Sequence, residues 1–423
     1  MPIKSYPGPE TIYRHLFPNG LVLLGYENFS AQSIVIDGYL PAGNLHDTRP
    51  KAGLADFTAE MLTHGTQNRT LEEIYELLES EGASLEFSAD RHTAGFSAGG
   101  LAEDIDLILD LLADSLRHPI FPEEELEQVR GEIMTDLQIR ANDTRQMAGL
   151  AFRDNLYGDH PYALSVRGYP DSVIAINRDD LLTFHSDHYG PQGLTLALVG
   201  AITKSEAIAK IEAYFGDWQN PRQKTAPTVP AAPRPDSTRR LFIPMPGKTQ
   251  SDIVLGLPGP GRAHPHYLAT SLANTVLGVF GMMGRLGDIV REKQGLAYYV
   301  HSQLQGGLGP APWYVATGVA PHNVEQAIDS ILSEIRRIQN EPVPQEELED
   351  SKAYRTGSLP VSLETNSGLA SIITDLELYN LGLDYLQRFP DLMAEITVEQ
   401  VQQAAQSHFS ADQLVIAIAG PES

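Results

Sequence analysis

Apolar positions along this chain recur with two periods. The run "GLVLLGY" starts at the second residue of the turn-forming pair Asn19–Gly20, which is a hairpin signal. The short apolar runs "LTLALVGA" (194–201) and "LVIAIAG" (414–420) suit buried strands. Helices are clearer. "TLEEIYELLESEG" opens with a capping box, Thr70 with Glu73, places Ile74, Leu77 and Leu78 on one face, and stops at Gly82. "EDIDLILDLLADSLRHP" and "VEQAIDSILSEIRRIQN" read as amphipathic helices, one from each half of the chain. Strands in hairpins interrupted by helix pairs predict an α+β fold, each sheet mostly antiparallel with helices packed on one face.

The pattern also repeats. "SIVIDGYLPAG" from Ser33 resembles "DIVLGLPGPG" from Asp252, an offset of 219. "PEEELEQ" from Pro122 matches "PQEELED" from Pro344 at 222, and "HYGPQGLTLALVGA" from His188 parallels "HFSADQLVIAIAGP" from His408 at 220. Three segments in one register point to an internal duplication. Between the copies, residues 219–240 carry prolines at 221, 227, 230, 233 and 235, as an extended, semi-rigid linker does. The predicted organisation is an N-terminal domain (1–218), the linker (219–240) and a homologous C-terminal domain (241–423). A cleft between two similar faces is then a natural place for function.

Composition narrows the function classes. A length of 423 residues suits two domains of roughly 200 residues. The formal net charge of −25 argues against nucleic acid and favours cationic partners such as Lys/Arg-rich peptides. The absence of cysteine removes disulfides and thiolate metal sites, and fits a reducing compartment. The first residues lack the apolar core of a secretory signal, and no apolar run is long enough to span a bilayer. A soluble, cytoplasmic protein with no membrane span is the expectation.

The candidate chemistry lies in "GLADFTAEMLTHGT", residues 53–66. It is similar to the motif region of the pitrilysin-like zinc peptidases, which include the mitochondrial processing peptidases and insulin-degrading enzyme. Their pattern is roughly G-x-A-H-F-L-E-H-M-L-F-x-G-T. Gly53, Ala55, Phe57, Met61, Leu62, Gly65 and Thr66 match it, but the first histidine is Asp56, the catalytic glutamate is Ala59 and the second histidine is Glu60. In an inverted H-x-x-E-H helix two imidazoles face Zn²⁺, and the glutamate takes a proton from metal-bound water. The third ligand of the family, a later glutamate, falls here on Glu132. Asp56, Glu60 and Glu132 form a carboxylate set suited to harder cations than zinc, and Ala59 supplies no base. The expectation is a helix that keeps the fold and has lost the chemistry, with no metal in this chain. His64 reads as solvent-facing or capping.

The second half keeps more of the resemblance. "GMMGRLGDIVREKQGLAYYVHSQL", residues 281–304, resembles the family's "SRLFxxIREKxGLAYxVxS" segment. Arg291 and Tyr298 stand seven apart, like the arginine and tyrosine the family uses near the scissile bond. Leu286, Ile289 and Val290 have helical spacing, Arg291 lies in the last turn, Gly295 terminates, and "LAYYVHSQL" alternates as a strand. A fixed guanidinium and a phenol suit hydrogen bonding to a peptide carbonyl or a developing oxyanion. The plainer reading pairs Arg291 with a carboxylate and half-buries Tyr298 with its hydroxyl on backbone. The glycines of "GVFGMMG" read as a tight turn, since no Lys-Ser/Thr follows as in a phosphate loop. "HSDH" (185–188) and "HPH" (264–266) are weak metal candidates, and no G-x-S-x-G elbow occurs.

The resemblance spans nearly the whole chain. It implies the subunit of a two-chain processing metalloendopeptidase that lacks the zinc motif, with catalytic Arg291 and Tyr298 supplied in trans. Zinc is expected in the homologous, motif-bearing partner of the heterodimer, and a homodimer stays open to the isolated chain. The substrate would be an unstructured peptide, basic in keeping with the charge. Two other readings stand: a non-catalytic scaffold or assembly subunit of the same fold, and an independent hydrolase with carboxylate-bound metal.

Overall fold

A computed structural model describes residues 6–279 and 284–422. Its strands form two sheets. The first contains β1 (Ile12–Leu16), β2 (Val22–Glu27), β3 (Ser33–Leu40), β4 (Ser84–Ala89), β5 (Ala94–Leu101) and β6 (Thr195–Gly200), in the order β1-β2-β6-β3-β5-β4. The second contains β7 (Arg239–Pro244), β8 (Ser251–Pro258), β9 (Ala297–Leu304), β10 (Pro312–Val319) and β11 (Val415–Gly420), in the order β7-β11-β8-β10-β9. Apart from β1, the two sheets have the same strand order, β2-β6-β3-β5-β4 answering to β7-β11-β8-β10-β9. In each, one parallel pair (β2 with β6, β7 with β11) is followed by antiparallel neighbours. The duplication read from three short segments is therefore a duplication of topology, and the α+β class holds.

Local signals hold as well. Gly20 takes φ +95°, and β1 and β2 pair across it from Leu16↔Val22 to Ile12↔Tyr26. The helix Leu71–Glu81 has both halves of its capping box, Glu73 N–H to Thr70 Oγ1 (3.3 Å) and Thr70 N–H to Glu73 Oε2 (2.8 Å), and ends on left-handed Gly82. The Pro-rich segment has no helix or strand before Arg239, where β7 begins. No helix among the described residues is long and apolar enough to cross a membrane.

The compact units are not the linear halves. One comprises residues 1–137, 164–228 and 359–388; the other comprises 138–163, 229–358 and 389–423. Within the first unit, the helices Ile105–Arg117 and Lys204–Phe215 cover one face of the sheet, with Leu109, Leu112, Ile211 and Phe215 packed into the same core as Leu23, Ile34 and Ile36. The opposite face carries the helix Asn366–Leu378, whose Leu369, Ile373 and Leu376 pack with Val22, Leu24, Ala197 and Val199. In the second unit the helix Thr144–Tyr157 lies on β8 and β11. The exchanged helices begin at 144 and 366, a separation of 222 that equals one of the repeat offsets. Each is pinned by a threonine on a mid-sheet aspartate: Thr374 Oγ1 donates to Asp37 (2.8 Å), and Thr144 Oγ1 to Asp252 (2.5 Å).

Covering both faces explains the unbroken apolar runs. β6, β8 and β11 are buried at every position, as strands between two helical layers must be. The Pro-rich segment marks the sequence repeat, while the packing units exchange a segment across it. Periodicity shows which face of a helix is apolar, but not which sheet that face will meet.

Candidate functional site

The motif helix runs Leu54–Glu60, and the frame residues that match the family pattern are its packing. Ala55, Phe57, Met61 and Leu62 have no exposed surface, and neither does Ala59. Gly53 enters with φ +96°; a Cβ there would come within 3.1 Å of the Arg167 carbonyl. Gly168 answers with φ +72°, where a Cβ would press to 2.2 Å from the Ala52 carbonyl. These glycines let two backbones touch, and the contact delivers Arg167 to the helix. Asp47 accepts from Gly53 N–H (2.9 Å) and Ala55 N–H (3.0 Å) and so caps the helix start. Burial lifts its carboxyl to about 7, against the pull of those backbone donors.

Asp56 and Glu60, four apart, project from the same side of this helix onto one guanidinium. Arg167 bonds Asp56 (3.0 Å), Glu60, and Asp136 (2.8 Å) of the helix Glu123–Ala141. Burial works against the Arg167 charge, yet the carboxylates, Glu60 foremost, hold it protonated. Three acids share that one cation, and burial pushes the Asp56 and Glu60 carboxyls up. Glu132 takes no part: it is exposed and accepts from Gln128 at 3.4 Å, while Asp136, one turn further on, reaches the cluster. The donor set does not fit zinc. Two imidazoles are replaced by carboxylates already paired with a guanidinium, and the base position is a buried methyl group. His64 caps as expected, its Nδ1 2.9 Å from the Glu60 carbonyl.

In the second unit, Arg291 and Tyr298 meet. Arg291 sits in a widened, π-type turn, Gly287–Lys293, rather than the regular helix that the spacing predicts. Such turns recur at functional positions. Val290 and Leu286 anchor it in the core, and Gly295 ends it at φ +62°. Tyr298 follows as the second residue of β9, and the Arg291 guanidinium carbon lies 5.6 Å from its ring centre. The ring is 84% exposed, so the half-buried alternative does not hold. The carboxylate near Arg291 is its neighbour Glu292, at a loose 3.6 Å. An exposed phenol on an edge strand, with a guanidinium beside it, can present two donors to a carbonyl oxygen. The tight turn read in "GVFGMMG" falls largely on Phe280–Met283, outside the described residues.

The remaining histidines divide. His185 turns inward to the Leu116 carbonyl (2.9 Å), and His188 lies against His46, ring centres 3.8 Å apart. His264 and His266 meet His408, from the far end of the chain. Sequence reading missed Arg167 and His408, because each lies more than a hundred residues from the motif residue it meets, Arg167 lying 107 from Glu60 and His408 142 from His266.

Residues 25–168 match the family model described as insulinase (peptidase family M16), and residues 175–354 match the one described as peptidase M16 inactive domain. The chain belongs to peptidase family M16. An uncharacterized zinc protease of Mycobacterium leprae is 26% identical over 395 residues, covering 93% of this chain and 88% of its own length. The mitochondrial-processing peptidase subunit beta of Caenorhabditis elegans is 25% identical over 346 residues, covering 78% of this chain and 72% of its own. A crystal structure from Pseudomonas fluorescens, described as a peptidase M16 inactive domain, superposes with a TM-score of 0.90 at 27% identity, over 97% of this chain and 98% of that one. A Helicobacter pylori protease shares the fold at a TM-score of 0.91 and 20% identity, over 98% of this chain and all of its own. Within the M16 frame, the motif helix of this chain carries an ion-pair cluster, and exposed Tyr298 stands on the second sheet beside Arg291 of the preceding turn.

Proposed function

We propose that this chain is the subunit of a two-chain M16 processing metalloendopeptidase that binds no zinc at its motif helix. It faces a zinc-bearing M16 partner, encloses the cleft, and lends Arg291 and Tyr298 to the peptide and to the transition state. The observation that carries this reading is the contrast between the two positions. Arg167 is paired with Asp56 and Glu60, while Arg291 and Tyr298 stand adjacent, and among the described residues the carboxylate beside the guanidinium is Glu292, at a loose 3.6 Å. β9 is also the outermost strand of its sheet, so an extended peptide can add to it as a further strand beside Tyr298. The negative charge of the chain favours basic peptides.

The test is to assay peptide hydrolysis by this chain alone, by an H-x-x-E-H relative from the same genome, and by the mixture. Turnover is expected only in the mixture. Arg291→Ala or Tyr298→Phe then lowers kcat by about a hundredfold or more, as losing one oxyanion donor does, while co-purification of the two chains is unchanged. A mixture indifferent to both substitutions would mean a scaffold role instead.

A further inference from the structure

We infer that His264, His266 and His408 form a binding site for a divalent transition-metal ion, with zinc as the probe of choice, far in sequence from the motif helix. The three imidazoles come from three places: a turn, the residue that precedes the helix Tyr267–Asn274, and the last residue of the helix Val398–His408. Among the described residues, they alone form a group of three ligand-bearing side chains whose nitrogens all lie within 4.8 Å of one another.

The arrangement suits tetrahedral coordination. Ring centres are 4.9 Å (His264–His408), 5.1 Å (His264–His266) and 5.5 Å (His266–His408) apart. Three imidazoles on one zinc, with Zn–N near 2 Å, place their ring centres about 5 Å apart and their ligating nitrogens about 3.3 Å apart. His408 Nε2 and His266 Nδ1 are already 3.3 Å apart. The planes stand at 77°, 77° and 84°, so the rings converge edge-on instead of stacking. Three neutral nitrogens and an open fourth position suit Zn²⁺, Cu²⁺ or Ni²⁺, and not Mg²⁺ or Ca²⁺.

Three features oppose binding. His408 Nε2 and His266 Nδ1 share a hydrogen bond at 3.3 Å, and the proton between them has to move before both nitrogens can ligate. The guanidinium of Arg234, anchored on the Ser407 carbonyl, lies close enough to disfavour added positive charge. His264 Nδ1 accepts from the His266 backbone N–H at 3.0 Å, and that hydrogen bond is lost if the same nitrogen takes the metal. His264 is therefore the weakest ligand.

The repeat supplies an internal control. In the first unit, His188, the counterpart of His408, also faces an imidazole, His46, but among the described residues the pair joins no group of three metal-ligating side chains, and His46 Nε2 is engaged with the Pro41 carbonyl (3.0 Å). Metal binding should appear at the second unit alone.

The experiment is calorimetric titration of the tag-free full chain with ZnCl₂, alongside thermal melting with and without zinc. One site per chain and a zinc-dependent rise in Tm are expected. His408→Asn or His266→Asn weakens binding more than about tenfold, and His264→Asn, on an exposed ring, weakens it less. His46→Asn and the paired change Asp56→Asn with Glu60→Gln leave it unchanged. If a histidine variant fails to fold, zinc-induced shifts of the wild-type imidazole resonances identify the ligands directly. The absence of a saturable site, or a site that survives His266→Asn and His408→Asn together, overturns the inference. Hydrolysis by the mixed subunits is a separate readout that His264→Asn leaves intact, so failure here does not bear on the role of Arg291 and Tyr298.

Discussion

At the residue scale, the decisive side chain of the motif helix is Arg167. It brings one positive charge to the place where the family pattern would put a metal, and it does so for Asp56, Glu60 and Asp136 together. Replacing it with methionine strands the buried Asp56 and half-buried Glu60, at a cost of about 2–4 kcal/mol. Urea unfolding should show that loss at pH 7. The variant should regain stability on acidification: its carboxyls are raised further, the native state then binds more protons than the unfolded chain, and stability falls as pH rises. The sequence made the departure from the family pattern legible, because Asp56, Ala59 and Glu60 stand among Gly53, Ala55, Phe57, Met61, Leu62, Gly65 and Thr66, which match it. It did not make the replacement legible. "SVRGY" has no motif, and only the close approach of Gly53 and Gly168 brings it to the helix.

At the element scale, the exchanged helices illustrate what periodicity omits. Each threonine–aspartate contact joins a helix to the middle of a sheet from which it is remote in sequence. Thr374→Val keeps the shape but leaves Asp37 without its donor, although burial already pushes that carboxyl up. We expect a loss of about 1–3 kcal/mol in chemical denaturation, less in mild acid, where the carboxyl is neutral. The turn bearing Arg291 shows a second kind of gap. Leu286, Ile289 and Val290 fit ordinary helical spacing, and nothing in them signals the π-type geometry. The juxtaposition of Arg291 with Tyr298, in contrast, followed from a helix end, a terminating glycine and an alternating strand, all visible in the sequence.

At the scale of the whole molecule, acid sensitivity should come from buried neutral histidines. Burial lowers His188 and His185 to about 4, and His46 is lowered too, with Lys224 adding to the effect on His46 and His188. Their folded values lie below the unfolded value near 6.5, so the unfolded chain binds more protons between about pH 6.5 and 4. Their contribution is fully present above about 6.5 and is lost as pH falls toward 4, while Asp47, raised to about 7, works the other way; a midpoint series in urea should decline where the three histidines outweigh that one carboxyl, and His188→Phe should flatten it. The bipartite unit composition gives a further expectation. A fragment of residues 1–228 lacks the helix Asn366–Leu378 and leaves Val22, Leu24, Ala197 and Val199 uncovered, so it should aggregate or melt early by circular dichroism.

That same exchange sets an order on folding as the chain is made. β6 is complete once residue 200 has been synthesised, yet the helix that shields its outer face ends at residue 378. At roughly 5–20 residues per second, the first sheet waits on the order of ten seconds or more with one oily side bare. A nascent chain of this architecture needs a chaperone, or a slow rate of sticking to its neighbours, for as long as the ribosome takes to deliver the missing cover.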